Sequence, residues 1–500
     1  MTRYIRHSTP YIANSDTPLL TLGGQPWTAR HTFEATMVCG GVGSGKSSSS
    51  GRAISKAFLR AGYGGLVLTV KSSERERWQQ YARECGREHN LLIVDSSATH
   101  RINWLDYALA TIASNGFEQN LVPLIMQMAD AASVADAAGG GSDNPFFRKA
   151  AEETLAHAVG IIHAAEGTVD LRTLYDFITT APTTREEADS QSWQQQSRFA
   201  DIMIRAAHKA KDEGNAYAGR MLDEHGDYWL AQFPRLGDRT RSSIIATLTS
   251  VFYPFLSGAL RTLFGTDTTF VPELCREGAI IILDLPVNAY GKAALIAQQT
   301  IKYLWQLAMQ RIAPNKRTRP CFLFVDEYQH FASMIDIEAV ATAREARVAS
   351  VFITQDIPTL QSSFAAINPH AAHALLSKAQ TRIFHATTDP ETAKYAAELT
   401  GKWERFNHSK SISHSRNSGS STNQGERAGA YGGGHGRSLS VTESVSSYQD
   451  DALRPEYFAN RLRTGGPANK FRADAIVIRN SQRFASTGRN FAKVEFDQKC

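Results

Sequence analysis

Five hundred residues exceed one ordinary domain and predict about two to four compact units. With 42% hydrophobic, 21% charged and 9% aromatic residues, the composition excludes a disordered, collagen-like or multi-span membrane chain. The 54 Lys and Arg against 49 Asp and Glu leave a net charge of +5, a bias that permits nucleic-acid binding without arguing for it. Five widely separated cysteines (39, 85, 275, 321 and 500) encode neither a disulfide framework nor a paired zinc site, which fits a reducing cytoplasm. Residues 1–32 hold no continuous apolar stretch, and the most apolar later run, 155–165, is broken by His157 and His163. It falls short of the ~20 residues a span needs, so the chain itself is not expected to cross a membrane.

From Ala35 to Val94 short apolar runs (Thr36–Cys39, Leu66–Val70, Leu91–Val94) alternate with helical stretches. Ala53, Ile54, Ala57 and Phe58 recur at helical spacing between the first two runs, as in a βαβ unit. From about Trp104 to Phe264 the strand signals vanish, and helical patterns at Phe146–Ala165, Ser190–Glu213 and Ser242–Leu256 predict an inserted all-helical domain. Loops are expected at Gly139–Ser142 and Ala181–Thr184. Strand-like runs return at Ala279–Leu283, Phe322–Val325, Val351–Thr354 and Arg382–His385. Residues 408–440 are rich in Ser, Gly and Asn, with basic Lys410, Arg416, Arg427 and Arg437 against the single acid Glu426. That composition predicts a solvated flexible loop; the sharper alternative is a basic arm that touches nucleic acid. Ala473–Ile478 reads as one more strand, so the loop interrupts the fold rather than ending it.

The strongest chemical signal is Gly40-Gly41-Val42-Gly43-Ser44-Gly45-Lys46-Ser47, between the Thr36–Cys39 strand and a helix. Glycines let consecutive N–H groups turn inward around phosphate oxygens, with Ser48 continuing the cradle onto the helix, and Lys46 brings a mobile charge to the β- and γ-phosphates. Ser47 offers a hydroxyl to Mg²⁺. Cys321–Val325 followed by Asp326-Glu327 reads as a buried strand delivering two acids to the same sheet edge, the Walker B arrangement. Asp326 would hold Mg²⁺ through water, and Glu327 would polarise the attacking water. Val351–Thr354 similarly delivers Gln355, an amide placed to sense the γ-phosphate, although buried strands also end in polar residues without a role. Arg344 and Arg347 lie on one helical stretch; either is a candidate arginine finger for a neighbouring subunit's ATP, against the plainer reading of a solvated helix face.

Taken together and in order, these motifs resemble the coupling proteins of type IV secretion and conjugative DNA transfer, the TraG/TraD type. Asp326-Glu327-Tyr328 with Phe331 is similar to the family's Asp-Glu-Phe segment, and Ala341-Thr342-Ala343-Arg344 through Gln355 is similar to its Ala-Thr-Ala-Arg stretch with Gln following, which favours Arg344 over Arg347. Asp389–Tyr395 leading to Gly401-Lys402, Asn144–Phe147, the Arg241–Phe264 helix and Ile102–Leu105 resemble further family segments. The family's Asp-Pro-Lys-Gly-Glu stretch appears as Thr69–Glu74, keeping Lys71 and Glu74 without its Asp and Gly.

The resemblance implies an α/β, RecA-like P-loop ATPase with a mostly parallel central sheet interrupted by an all-α domain. It would assemble as a homo-hexamer, drive DNA with ATP and Mg²⁺, and serve relaxase or secretion-channel partners. Family members usually begin with membrane-spanning helices; without them, contact with the inner membrane would be indirect, through a partner. The expected organisation is an extension at 1–34, the nucleotide-binding domain at 35–103 and 266–407, the helical insertion at 104–265, the loop at 408–440, and a C-terminal strand and tail at 441–500. A receptor for protein cargo whose assembly ATP controls, and a DNA-packaging or repair motor, are the rival functions.

Overall fold

Short runs of β-branched, aromatic and aliphatic residues are buried on both faces here, which is the condition for a parallel sheet covered by helices. The computed structural model describes residues 9–111, 120–136, 145–312, 314–365, 368–418, 435–480 and 482–499. A hairpin of β1 (Pro18–Leu22) and β2 (Gln25–Thr28), not foreseen in the sequence, comes first. Then follow β3 (Thr36–Cys39), β4 (Gly64–Leu68), β5 (Leu91–Val94), β6 (Ile280–Leu283), β7 (Cys321–Val325), β8 (Val348–Thr354) and β9 (Thr381–Phe384). These seven pair in parallel in the order β9-β3-β8-β7-β4-β6-β5. After a separate hairpin of β10 (Lys402–Ser418) and β11 (His435–Asp451), strands β12 (Arg472–Arg479) and β13 (Phe491–Asp497) add antiparallel at the β9 edge and complete a nine-stranded sheet. Only β12 of that last pair was expected.

Side chains alternate between two cores, one on each face of the sheet. In β7, Cys321, Leu323 and Val325 join the larger core, while Phe322 and Phe324 join the smaller one. Phe322 stacks between Phe58 of the helix after β3, centroids 5.4 Å apart, and Trp78 of the helix after β4, at 5.6 Å. That sandwich locks both crossover helices onto the strand that carries the acids.

Between β5 and β6 the described residues form helices and no strand, from Trp104–Thr111 to Gly258–Phe264. Its entry and exit run side by side: the Ile102 N–H donates to the Leu263 carbonyl (2.8 Å), Thr269 N–H to the Arg101 carbonyl (2.8 Å), and Arg101 pairs with Asp267. The larger core is continuous from the sheet into these helices. The stretch expected as one helix at 190–213 is two, Gln191–Gln196 and Arg198–Lys211, because Ser197 turns extended and its hydroxyl caps the second by accepting from Ala200 N–H. The 242–256 pattern is a helix at Asp238–Phe252 followed by a 3₁₀ turn at Tyr253–Phe255, where Pro254 lacks the N–H to continue an α-helix. The loop at 139–142 lies outside the described residues. Among the described residues no helix is long and apolar enough to cross a membrane.

The 408–440 segment departs most from its reading as a loop. Residues 408–418 and 435–440 belong to the β10–β11 ladder, whose register runs from Lys402↔Asp451 to Ser418↔His435; residues 419–434 lie outside the described residues. Serines oppose serines across one face, Ser409 with Ser444 (2.6 Å), Ser413 with Ser440 (2.6 Å) and Ser415 with Ser438 (2.8 Å), while Ile412 opposes Val441 on the other. Cross-strand hydroxyl and β-branched pairs stabilise such a ladder residue by residue. Each strand, at about 3.3 Å per residue, makes a ribbon about 55 Å long. Its body is solvent-exposed, and it meets the rest of the chain at its root, where Arg489 lies over Trp403 at 4.2 Å.

Candidate active site

The parallel strands β3, β8 and β7 are neighbours, so whatever follows each of them meets at one edge of the sheet. After β3 the chain turns through Gly40–Ser47. Gly40 N–H donates to the Gln355 carbonyl (3.2 Å) and Gly41 N–H to the Ala386 carbonyl (2.9 Å), so the loop is tied to the ends of both flanking strands. Gly43 and Gly45 adopt φ of 74° and 88°, left-handed values that leave the backbone N–H groups free to face a ligand. A Cβ on Gly45 would come within 3.1 Å of Ala473, Thr464 and Gln498. The helix opens as a π-turn at Ser47–Gly51 and continues as Arg52–Arg60. Lys46 is buried at its start, and the buried Ser44 hydroxyl has no hydrogen-bond partner among the described residues. An open groove of about 490 Å³ borders Gly43, Gly45 and Ser48 and is lined on its other side by Thr464–Gly466, Phe471 and Gln498. Gln498 Nε2 donates to Ser48 Oγ at 2.7 Å.

Opposite the loop, Asp326 and Glu327 follow β7. Asp326 lines the same pocket as Ser47, and its burial pushes its carboxyl above the usual range. Glu327 sits in the left-handed region (φ 51°), a strained turn that re-aims its side chain; its N–H donates to Asp326 Oδ1 at 3.0 Å. Its Oε1 accepts from Lys71 Nζ (2.8 Å), and its Oε2 from Gln329 Nε2 (2.8 Å) and Gln355 Nε2 (3.1 Å). Burial alone would raise this carboxyl, but Lys71 and the two amides outweigh it and bring it down to about 2. Glu74, on the helix after β4, is buried beside Asp326; its burial and then the Asp326 charge lift it to about 7.

Residues 40–48, 326, 327 and 355 therefore share one edge. Arg344 does not join them. It is exposed near the C-terminus of the helix Met334–Ala346, at the start of β8, whereas Gln355 follows the end of that strand about 20 Å on. Arg347 is buried, stacks over Phe33 and donates to the carbonyls of Lys316 and Ala13, a packing role that removes it as a finger. Sequence reasoning assigned no role to Lys71 or Glu74; a Lys-x-x-Glu spacing just beyond a strand of the same parallel sheet was the available signal. His385, which follows β9 beneath the loop and hydrogen-bonds Ser50 Oγ through Nε2 (2.8 Å), is a packing and edge residue.

A glycine loop with left-handed turns at Gly43 and Gly45, a buried lysine at its head, and a serine hydroxyl in one pocket with a buried carboxylate together fit a nucleoside triphosphate with its divalent cation. The family model described as type IV secretory system conjugative DNA transfer matches residues 6–430. The chain belongs to this family. Solved structures of the plasmid coupling protein TrwB share the fold. The trigonal form with sulphate aligns with a TM-score of 0.61 at 14% identity, covering 98% of this chain and 91% of that one. The complex with ADP and Mg²⁺ aligns with a TM-score of 0.60 at 15% identity, covering 98% and 90%. A search of curated proteins by sequence finds no match. The conjugative coupling family thus accounts for the mostly parallel, RecA-like sheet with its helical insertion.

Proposed function

We propose that the chain is an ATP-hydrolysing DNA translocase that delivers DNA, or a protein–DNA conjugate, to a conjugation or type IV secretion channel. The observation that carries this reading is Glu327, a carboxylate next to Asp326 that is held ionised by Lys71 and bonded to Gln355, whose carbonyl accepts from Gly40 of the glycine loop. Its support is the family membership, together with the ADP and Mg²⁺ named for the similar TrwB structure.

In this reading the loop N–H groups and Lys46 bind the phosphates of ATP, and Ser47 with Asp326 hold Mg²⁺. The ion, when bound, neutralises charge on the β- and γ-phosphates. Glu327 orients the attacking water and takes its proton, exchanging one of its present donors for that water. Gln355, already bonded to Glu327, lies between the base and the loop and couples the two. Arg344, too far from its own cradle, reaches the site of the next subunit in a homo-hexamer. Relaxase and channel proteins are the partners, and a cytoplasmic protein reaches the inner membrane through one of them. The test is phosphate release by the purified full chain with and without single- or double-stranded DNA. A rise on adding DNA is expected; equal rates in all three conditions would overturn the translocase reading.

A further inference from the structure

Glu74 opens the helix Ser73–Glu84, just beyond β4, and is 4% exposed. Its Oε2 accepts from the Val70 N–H at 2.8 Å, while Oε1 is buried with no hydrogen-bond partner among the described residues. A small pocket places Glu74 with Ser47 and Asp326, and is lined also by Trp78, Tyr81 and Arg77. A carboxylate oxygen withdrawn from water without a donor is costly, and the cost is recovered by a proton, a cation or a cation-bound water that donates to it. The nearby cations are partly committed: Lys71 is bonded to Glu327, and Arg77 donates to Ser73 Oγ at 3.3 Å.

We propose that Glu74 is a third member of the metal site, a positioning residue that holds a water of the ion bound by Ser47 and Asp326. This rests on the nucleotide-binding reading above. Mg²⁺ dehydrates reluctantly and is typically held through one or two carboxylates plus substrate phosphates, with waters filling the rest of its octahedron. Asp326, Ser47 and Glu74 line one pocket, so a hydrated ion held there would have a second carboxylate within reach. The bare Oε1 of Glu74 supplies the acceptor, from a different strand of the same sheet edge. Its other oxygen, fixed by Val70, keeps the carboxylate from rotating away. Lys71 and Glu74 thereby divide two tasks within one short segment: the lysine sets the base, the glutamate orients the hydrated ion.

The experiment uses the full chain with Mn²⁺ in place of Mg²⁺ and a non-hydrolysable ATP analogue. Mn²⁺ affinity is read by electron paramagnetic resonance, and analogue affinity is read separately without metal. Glu74→Gln, which keeps an acceptor for Val70, is expected to weaken Mn²⁺ binding by ~10- to 100-fold while leaving metal-free analogue affinity unchanged. Asp326→Asn should weaken it at least as much. Wild-type affinity in E74Q would overturn the proposal and leave the nucleotide reading intact. Absence of nucleotide-dependent Mn²⁺ binding by the wild type would overturn both. Should E74Q fail to fold, Glu74→Asp withdraws the oxygens by one methylene and is expected to lower Mn²⁺ affinity; unchanged affinity there overturns the assignment equally.

Discussion

At the residue scale the decisive contact is Lys71 with Glu327. Burial works against an ionised glutamate, yet Lys71, Gln329 and Gln355 together hold it at about 2, so the carboxylate stays ionised across any physiological pH, as the proposed base requires. Because its folded-state value lies below the unfolded one, this carboxylate contributes stability that is present above the ordinary glutamate range and lost as pH falls through about 2. Lys71→Ala should move the acidic limb of the pH–rate profile upward by about one unit, since one opposite charge at hydrogen-bonding range shifts a carboxyl by that order. An unmoved limb would deny the lysine this role. Lys46→Ala is expected to lower turnover by about 100-fold or more, as loss of a preorganised charge does. Glu327→Gln should retain nucleotide binding, measured by fluorescence titration, while phosphate release falls by ~10²–10⁴.

At the scale of elements, the helix Met334–Ala346 links site and surface. Its start is tied to the acid-bearing turn through Asp336, which accepts from Ser333, Tyr328 OH, Gln306 and Lys302 Nζ (2.7 Å) in a fully buried cluster. Replacing Lys302 by Met should cost about 3–5 kcal/mol in a denaturant titration, because Asp336 would be left as an uncompensated buried charge. The two arginines at the far end separate by burial. Arg344→Ala should reduce hydrolysis by ~10³ or more without loss of nucleotide binding. Arg347→Ala should instead destabilise the fold by about 2 kcal/mol through its lost carbonyl bonds. The parallel strands were legible in the sequence because both their faces are buried, which leaves unbroken apolar runs such as Cys321–Val325. β10 and β11 were not, since an exposed ladder of Ser against Ser has the composition of a loop and shows its order only across the pair. β13, with exposed Lys493 and Glu495 alternating with buried Ala492 and Val494, hid in the same way at the sheet's edge. The phosphate loop and the acid pair were readable because their spacing is local. The Lys71–Glu327 bond joins residues 256 apart in sequence and depends on which strands become neighbours.

For the molecule as a whole, one sheet edge collects the ends of β3, β4, β7 and β8, so loop, base, lysine and amide respond together to a single ligand. The far edge presents Arg344 to whatever packs there, and a ring in which one edge meets the next protomer's other edge would close the site from outside. The β10–β11 ribbon has a separate consequence. It lies between β9 and β12 in the chain, yet β12 pairs directly with β9, through Val477↔Ile383 and Ile476↔Phe384. Trypsin at the exposed Lys410, Arg416 or Arg437 would sever the polypeptide without severing the sheet. The two pieces should co-elute on a sizing column, part only in denaturant, and, if produced separately, find each other again as a split protein.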